Sequence, residues 1–241
     1  MRLSKRKSDE LRPVSIEIDV NRYAEGSCLI SCGHTKVLCT ASVEEHVPFF
    51  RRRTGLGWIS AEYSLLPRAT HERNRRDGRG SSVSGRTLEI QRLIGRSLRA
   101  GVNFASLGER QIMIDCDVLQ ADGGTRCASI TGGWVALRLA VNKLLQDRYI
   151  VRDPLHQQVI AISCGIHAGS HILDLDYNED SNAEVDGNFV FTSSGELIEV
   201  QCTAEDKSFP TASILEFIEL SSKGASELVR IQNEALAKKN A

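Results

Sequence analysis

Neither sign of charge prevails in this chain. Its 241 residues carry 30 Lys and Arg against 31 Asp and Glu, a formal net charge of -1. That balance excludes a wholesale basic nucleic-acid coat and an acidic disordered tail. No run approaches the roughly 18 apolar residues that a membrane helix requires. The basic start, Arg2 to Lys7, leads into no apolar stretch of signal-peptide length. Among the seven cysteines there is no Cys-x-x-Cys pair and no Cys/His spacing suited to zinc. Six of them lie in apolar, strand-like runs, where they read as small buried hydrophobes in a reducing cytoplasm. The Walker loop and the dinucleotide fingerprint are both missing, which excludes a P-loop ATPase and a Rossmann dehydrogenase. Repeats and long linkers are missing too. The expectation is a single cytoplasmic domain over residues 1–241, able to bury roughly 70–75% of its unfolded surface without disulfides.

The near-zero net charge conceals a strong polarity. Residues 51–100 hold twelve Arg, no Lys and four acids, a local charge of +8. Residues 151–210 hold one Arg, one Lys and eleven acids, a local charge of -9. Strand patterns fall at residues 14–20, 27–31 and 36–43, then at 110–120, 158–165, 170–177, 187–192 and 196–203. Helical spacing appears at 86–99, at 130–145 in a segment so apolar that it belongs at the centre, and at 211–237. Runs of strands with three interleaved helices predict an α+β fold of mixed sheets and packed helices.

Three features can carry chemistry. The stretch from Arg68 to Gly80 contains Arg68, Arg73, Arg75, Arg76 and Arg79 with no apolar period, which predicts an exposed loop. Guanidinium groups match phosphate oxygens two at a time and stack on bases, so this loop suits a polyanion. Two Gly-rich turns each open a helix and each carry an arginine, Arg86 in one and Gly124-Thr125-Arg126 in the other. Free N–H groups and the positive dipole end at a helix start favour an oxyanion there. The acidic segment from Asp174 to Asp186 offers carboxylates without His or Cys, a donor set for a hard ion such as magnesium. Within it, Asp180 and Asp186 stand six apart across an expected turn. The plain alternative for each feature is a solvated charge run or an ordinary turn. Taken together, arginines, an anion cradle and a carboxylate pair point to phosphoryl chemistry on a polyanion.

The residues also carry a family resemblance that runs nearly end to end. Its blocks are Glu10-Leu11-Arg12-Pro13-Val14, Gly33-His34-Thr35-Lys36-Val37-Leu38-Cys39-Thr40-Ala41-Ser42-Val43, Ala61-Glu62-Tyr63 and Leu66-Pro67-Arg68-Ala69-Thr70-His71. They continue with Ser84-Gly85-Arg86-Thr87, the segment 90–99, Asp115-Cys116-Asp117-Val118, Asp122-Gly123-Gly124-Thr125-Arg126, and Asp174-Leu175-Asp176-Tyr177 with Glu179-Asp180-Ser181. In these blocks the chain resembles the ribonuclease PH family of phosphorolytic 3′-exoribonucleases, which trim tRNA precursors. The resemblance implies the α+β ribonuclease PH fold and a hexameric ring built as a trimer of dimers. It implies that Arg86, Gly124, Thr125 and Arg126 bind inorganic phosphate, the co-substrate, and that Asp180 and Asp186 are the catalytic pair, holding Mg2+ or protonating the leaving 3′-oxygen. It implies that Arg68, Arg73, Arg75, Arg76 and Arg79 grip the tRNA body. Leu88, Gly187 and Cys202 depart from the family pattern, in which Gln, Met and Gly are usual, and Asp206-Lys207 replaces a more typical Gly-Glu. Two other readings compete: a ring subunit that binds RNA without cutting it, and a metal-dependent nuclease that uses water.

Overall fold

Nine strands and five helices form among the residues that the computed structural model describes, 2–76 and 83–238. In chain order they are β1 (Val14–Ile18), β2 (Gly26–Cys32), β3 (Thr35–Glu44), β4 (Trp58–Leu65), α1 (Gly85–Arg99), α2 (Phe104–Leu107), β5 (Gln111–Gln120) and α3 (Thr125–Gln146). Then follow β6 (Val159–His167), β7 (Ser170–Leu173), α4 (Tyr177–Asp180), β8 (Val185–Thr192), β9 (Leu197–Ala204) and α5 (Ala212–Ala237). A five-stranded sheet has the order β1-β2-β3-β5-β4, and a four-stranded sheet the order β7-β6-β8-β9. The α+β class expected from the sequence is the class observed.

The first sheet is antiparallel except at one edge, where β4 runs parallel to β5. Parallel neighbours need a crossover, and here α1 supplies it by packing on β4. The β4 strand is missing from the sequence reading because arginines crowd its flanks. Its own pattern was nonetheless present, since Ile59 and Tyr63 are buried two strand-periods apart. Two other expectations need correction. The strand expected over 170–177 ends at Leu173, after which the chain turns through Asp174 at φ 54° into α4. The central helix starts at Thr125, a turn and more before the expected residue 130, because polar residues at its start hid its period.

Helix α3 is buried on nearly all sides, and it packs on β2, β3 and β5 of one sheet and on β6 of the other. Buried polar groups tie these layers together. Thr131 Oγ1 accepts from the Ala161 amide at 3.1 Å, and the fully buried Gln232 of α5 donates to the Thr131 and Val159 carbonyls at 3.0 and 3.1 Å. The N-terminus of α3 is thereby held firmly beside the second sheet, so whatever that terminus binds faces the strands that follow.

Candidate active site

One cleft of about 760 Å³ gathers residues from both halves of the chain, among them Tyr63, Arg86, Thr125, Arg126, Asp180 and Asp186. On its first wall stand two helix starts. Ser84 caps α1, its Oγ accepting from the Thr87 amide at 3.1 Å, and this fixes Arg86 in the first turn. Gly123 and Gly124 both adopt positive φ, 76° and 67°, and turn the chain into α3, whose start lines the cleft. Thr125 is buried, and its Oγ1 lies 2.8 Å from the Tyr63 hydroxyl of β4.

Arg126 bridges toward the other helix start, with Nη2 3.6 Å from Glu89 Oε2 on α1. Its Nε is buried and has no hydrogen-bond partner among the described residues. An unsatisfied buried donor is costly, and an anion in the cleft would satisfy it. Arg86 is exposed and makes no ion pair with a described residue.

Carboxylates form the opposite wall. Asp176 caps α4 in a reciprocal box with Glu179, each side chain accepting from the other's backbone amide at 3.1 Å. That box places Asp180 at the end of the short helix. Asp186 sits on β8 between Gly165 of β6 and Thr203 of β9. The protein crowded around Asp180 pushes its pKa above the usual carboxylate range. The Asp186 carboxylate pushes the same way, while Arg126 and Arg86 pull it back. Asp180 therefore lies within electrostatic reach of Asp186, Arg86 and Arg126, the other three charged groups singled out in the sequence.

Among the described residues, the arginine loop meets the cleft only through the neighbours of its arginines. Thr70, His71, Glu72 and Asn74 line it, and the loop is braced by Asn74 donating to the Pro67 carbonyl and to Thr70 Oγ1, both at 2.8 Å. Arg68, Arg73, Arg75 and Arg76 are exposed and stand off the cleft wall. Arg79 lies outside the described residues. Cys127, beside the cradle, is a buried thiol whose pKa burial pushes upward, which removes it as a nucleophile.

Two of the departures from the family pattern turn out to be one change. Gly187 and Cys202 are direct cross-strand partners, and a Cβ at 187 would come within 2.8 Å of Cys202 Sγ. Cys202 can stand there because its partner has no side chain. Residues missed by the sequence reading include Tyr63, which braces Thr125, and Arg2 and Arg6, which hold Glu179 from outside the cleft. The N-terminal arginines were visible only as a basic start, since nothing local marks a partner some 170 residues away.

For magnesium, the fit rests on the two carboxylates. Among the described residues no group of three or more His, Cys, Asp or Glu could hold a metal. Two carboxylates facing an anion cradle match the usual magnesium pattern, in which substrate phosphates and water complete the shell. Among the described residues no helix is long and apolar enough to cross a membrane.

Comparison with known proteins places these walls in a family. Residues 10–141 match the model of the 3′ exoribonuclease family, domain 1, and residues 157–224 match that family's domain 2. The chain is 61% identical to the ribonuclease PH of Cereibacter sphaeroides over 236 residues, 98% of this chain and 100% of that one. It is 57% identical to the ribonuclease PH of Caulobacter vibrioides, covering 98% and 99%. Among solved structures, the Archaeoglobus fulgidus exosome with RNA bound to the active site superposes with a TM-score of 0.80 at 19% identity, over 95% of this chain and 91% of that one. Rice Rrp46 superposes with a TM-score of 0.78 at 18% identity, over 96% and 98%. At those identities the structures testify to the fold.

Proposed function

The chain belongs to the ribonuclease PH family of 3′ exoribonucleases, and from that premise we propose how its cleft works on RNA. The protein shortens RNA from the 3′ end by phosphorolysis, with tRNA precursors and other structured RNAs bearing 3′ extensions as substrates. The supporting observation is one cleft lined by two cations, Arg86 and Arg126, the latter with a buried Nε that no described residue bonds, and by two carboxylates, Asp180 and Asp186.

A water-using nuclease needs no second anion, whereas phosphorolysis must bring a phosphate dianion against a phosphodiester. At 4 Å and an effective dielectric of 20 that approach is opposed by about 8 kcal/mol. Arg86, Arg126 and the leading amides of α3 offset this by holding the phosphate where it attacks. The attacking phosphate oxygen forms a bond to the 3′-terminal phosphorus, and the bond from that phosphorus to the preceding 3′-oxygen breaks. A nucleoside diphosphate leaves, and the new 3′-oxygen takes up a proton. Asp180 suits that proton transfer, because its surroundings favour the neutral acid more than water does. In the alternative role both carboxylates are ionised, and Asp180 and Asp186 would then hold magnesium, which would supply positive charge to the reacting phosphate oxygens. The reaction is reversible, because both sides conserve one phosphoanhydride or phosphodiester linkage. We assign gripping of the tRNA body to Arg68, Arg73, Arg75, Arg76 and Arg79, self-association to a hexameric ring, and residence to the cytoplasm.

Incubating a 3′-extended tRNA with magnesium, with and without phosphate, tests the reading. Diphosphate products that appear only with phosphate are expected. Monophosphates formed without phosphate would make the protein a hydrolase, and no products in either case would make it a binding subunit.

A further inference from the structure

The two walls come from the two separate family segments. Arg86, Gly124, Thr125 and Arg126 lie in the first, and Asp180 and Asp186 in the second. Catalysis across the cleft therefore depends on how the segments are registered. Several side chains cross that seam, among them Cys127 to Asn188 and Arg96 to Glu199, and one of them, Arg12, bonds to the turn before α3 and to the segment before α4 at once. Arg12 Nε and Nη2 donate to the two carboxylate oxygens of Asp174 at 3.0 and 2.7 Å, and its backbone amide donates to Oδ2 at 2.8 Å. The same guanidinium reaches the carbonyls of Asp122 and Gly123, the turn from which the phosphate cradle starts. Both Arg12 and Asp174 are buried, at 6% and 4% exposure.

Directly above this pair the two backbones touch. A Cβ at Gly123 would lie 2.6–2.8 Å from main-chain atoms of Leu175, Asp176 and Tyr177. Each wall also has a brace of its own. Thr35 Oγ1 donates to the Gly123 carbonyl at 2.7 Å and accepts from the Asp122 amide at 2.9 Å, which steadies the phosphate side. Arg2 grips both oxygens of Glu179 at 2.7 Å, next to Asp180, which steadies the carboxylate side.

We propose that Arg12 is a positioning residue for phosphorolysis: its fork, shared between Asp174 and the Asp122-Gly123 carbonyls, sets the distance between the bound phosphate and Asp180. The proposal rests on the phosphorolytic reading above. Arg12 touches neither substrate. It acts by joining the turn that presents Thr125 and Arg126 to the segment that presents Asp180, while Arg2 and Thr35 each act on one side alone. A lysine would keep the charge beside Asp174 but lose the planar fork that reaches the carbonyls.

The test compares Arg12→Lys, Arg2→Lys and Thr35→Val in the full-length protein, scored for phosphate KM, kcat and thermal midpoint. Wild-type phosphorolysis is measured first, so a failure of the functional reading shows before any variant is made. Since a misplacement near 1 Å can cost about 10²-fold, Arg12→Lys is expected to raise phosphate KM and lower kcat, each by about tenfold. Arg2→Lys should lower kcat with phosphate KM within about twofold, and Thr35→Val should do the reverse. Asp174→Glu keeps the ion pair but lengthens it by one methylene, and it should reproduce the Arg12→Lys pattern if the lysine variant does not fold. The proposal is overturned if Arg12→Lys and Asp174→Glu lower the thermal midpoint while leaving phosphate KM and kcat unchanged. It is equally overturned if all the variants share one pattern.

Discussion

The cationic wall, to which we assign phosphate, presents its arginines from the first turns of two long helices, α1 and α3, whereas the carboxylate wall presents its anions from a four-residue helix and a strand. Long helices bring their own rigidity and their own dipole, so Arg86 and Arg126 need little outside support. A helix as short as α4 has almost none of its own. It is held instead by the Asp176–Glu179 box and by Arg2 and Arg6 from the N-terminal arm. One wall is thus started by local signals and only braced from elsewhere, by Thr35 and Tyr63, whereas the other is pinned by the N-terminal arm. Substitutions on the first should act through phosphate, and those on the second through the chemical step.

The largest effect expected is on the carboxylate side. Asp180→Asn removes the proton donor, or the anionic ligand where magnesium is held, and should lower kcat by about 10²–10⁴-fold. Phosphate binding, measured by equilibrium titration without RNA, should be kept or strengthened, because a group able to carry negative charge toward the cradle is replaced by one that cannot. Weaker phosphate binding in this variant would break the division between the walls.

Arg126→Ala comes next. It removes the buried Nε that lacks a partner and the link to Glu89. Loss of one such donor to a developing anion costs about 10²-fold, read as phosphate-dependent kcat/KM, with RNA affinity nearly unchanged. An equal loss in RNA affinity would deny the wall its dedication to phosphate.

A smaller effect belongs to a region on neither wall. Replacing Arg73, Arg75 and Arg76 together with Ser should leave trimming of short single strands intact while weakening tRNA binding. Each lost phosphate contact should flatten the logarithmic salt dependence by about 0.7–0.9. If short and folded substrates suffer alike, these exposed arginines do not hold the tRNA body.

How much of this was legible beforehand follows from the same contrast. The phosphate wall could be read because its signals are local: Ser84 before Arg86, and Gly123-Gly124 before Thr125 and Arg126, are start signals written in neighbouring residues. Asp180 and Asp186 could be named as a pair by composition, but their placement could not be read. It depends on α4, on the positive φ of Asp174 and on arginines near the other end of the chain. β4 was lost to a different cause, since the arginines flanking it drew attention from the buried alternation of Ile59 and Tyr63. Gly187 and Cys202 looked like two unrelated departures until the register of β8 and β9 set them opposite one another.

The last effect expected is one of acid stability, small in activity at neutral pH, and it should appear on one wall only. Burial alone would raise the pKa values of Asp174 and Glu179, yet Arg12 and Arg6 hold Asp174, and Arg2 holds Glu179, below the usual carboxylate range. A carboxylate held low contributes stability that is full above its unfolded value, near pH 4, and is lost as pH falls through its folded value. The cationic wall carries no carboxylate pinned in this way, so it has no equivalent loss. Lowering the pH below about 4 should therefore release amide-exchange protection in residues 174–183 before residues 125–133. Asp174→Asn should abolish much of that pH dependence, at a cost at neutral pH of about 3–5 kcal/mol for leaving Arg12 buried without its partner. Urea unfolding at pH 7 and pH 3.5 measures both. Simultaneous loss of protection on the two walls would mean that the pins at Asp174 and Glu179 hold the whole cleft and not one side of it.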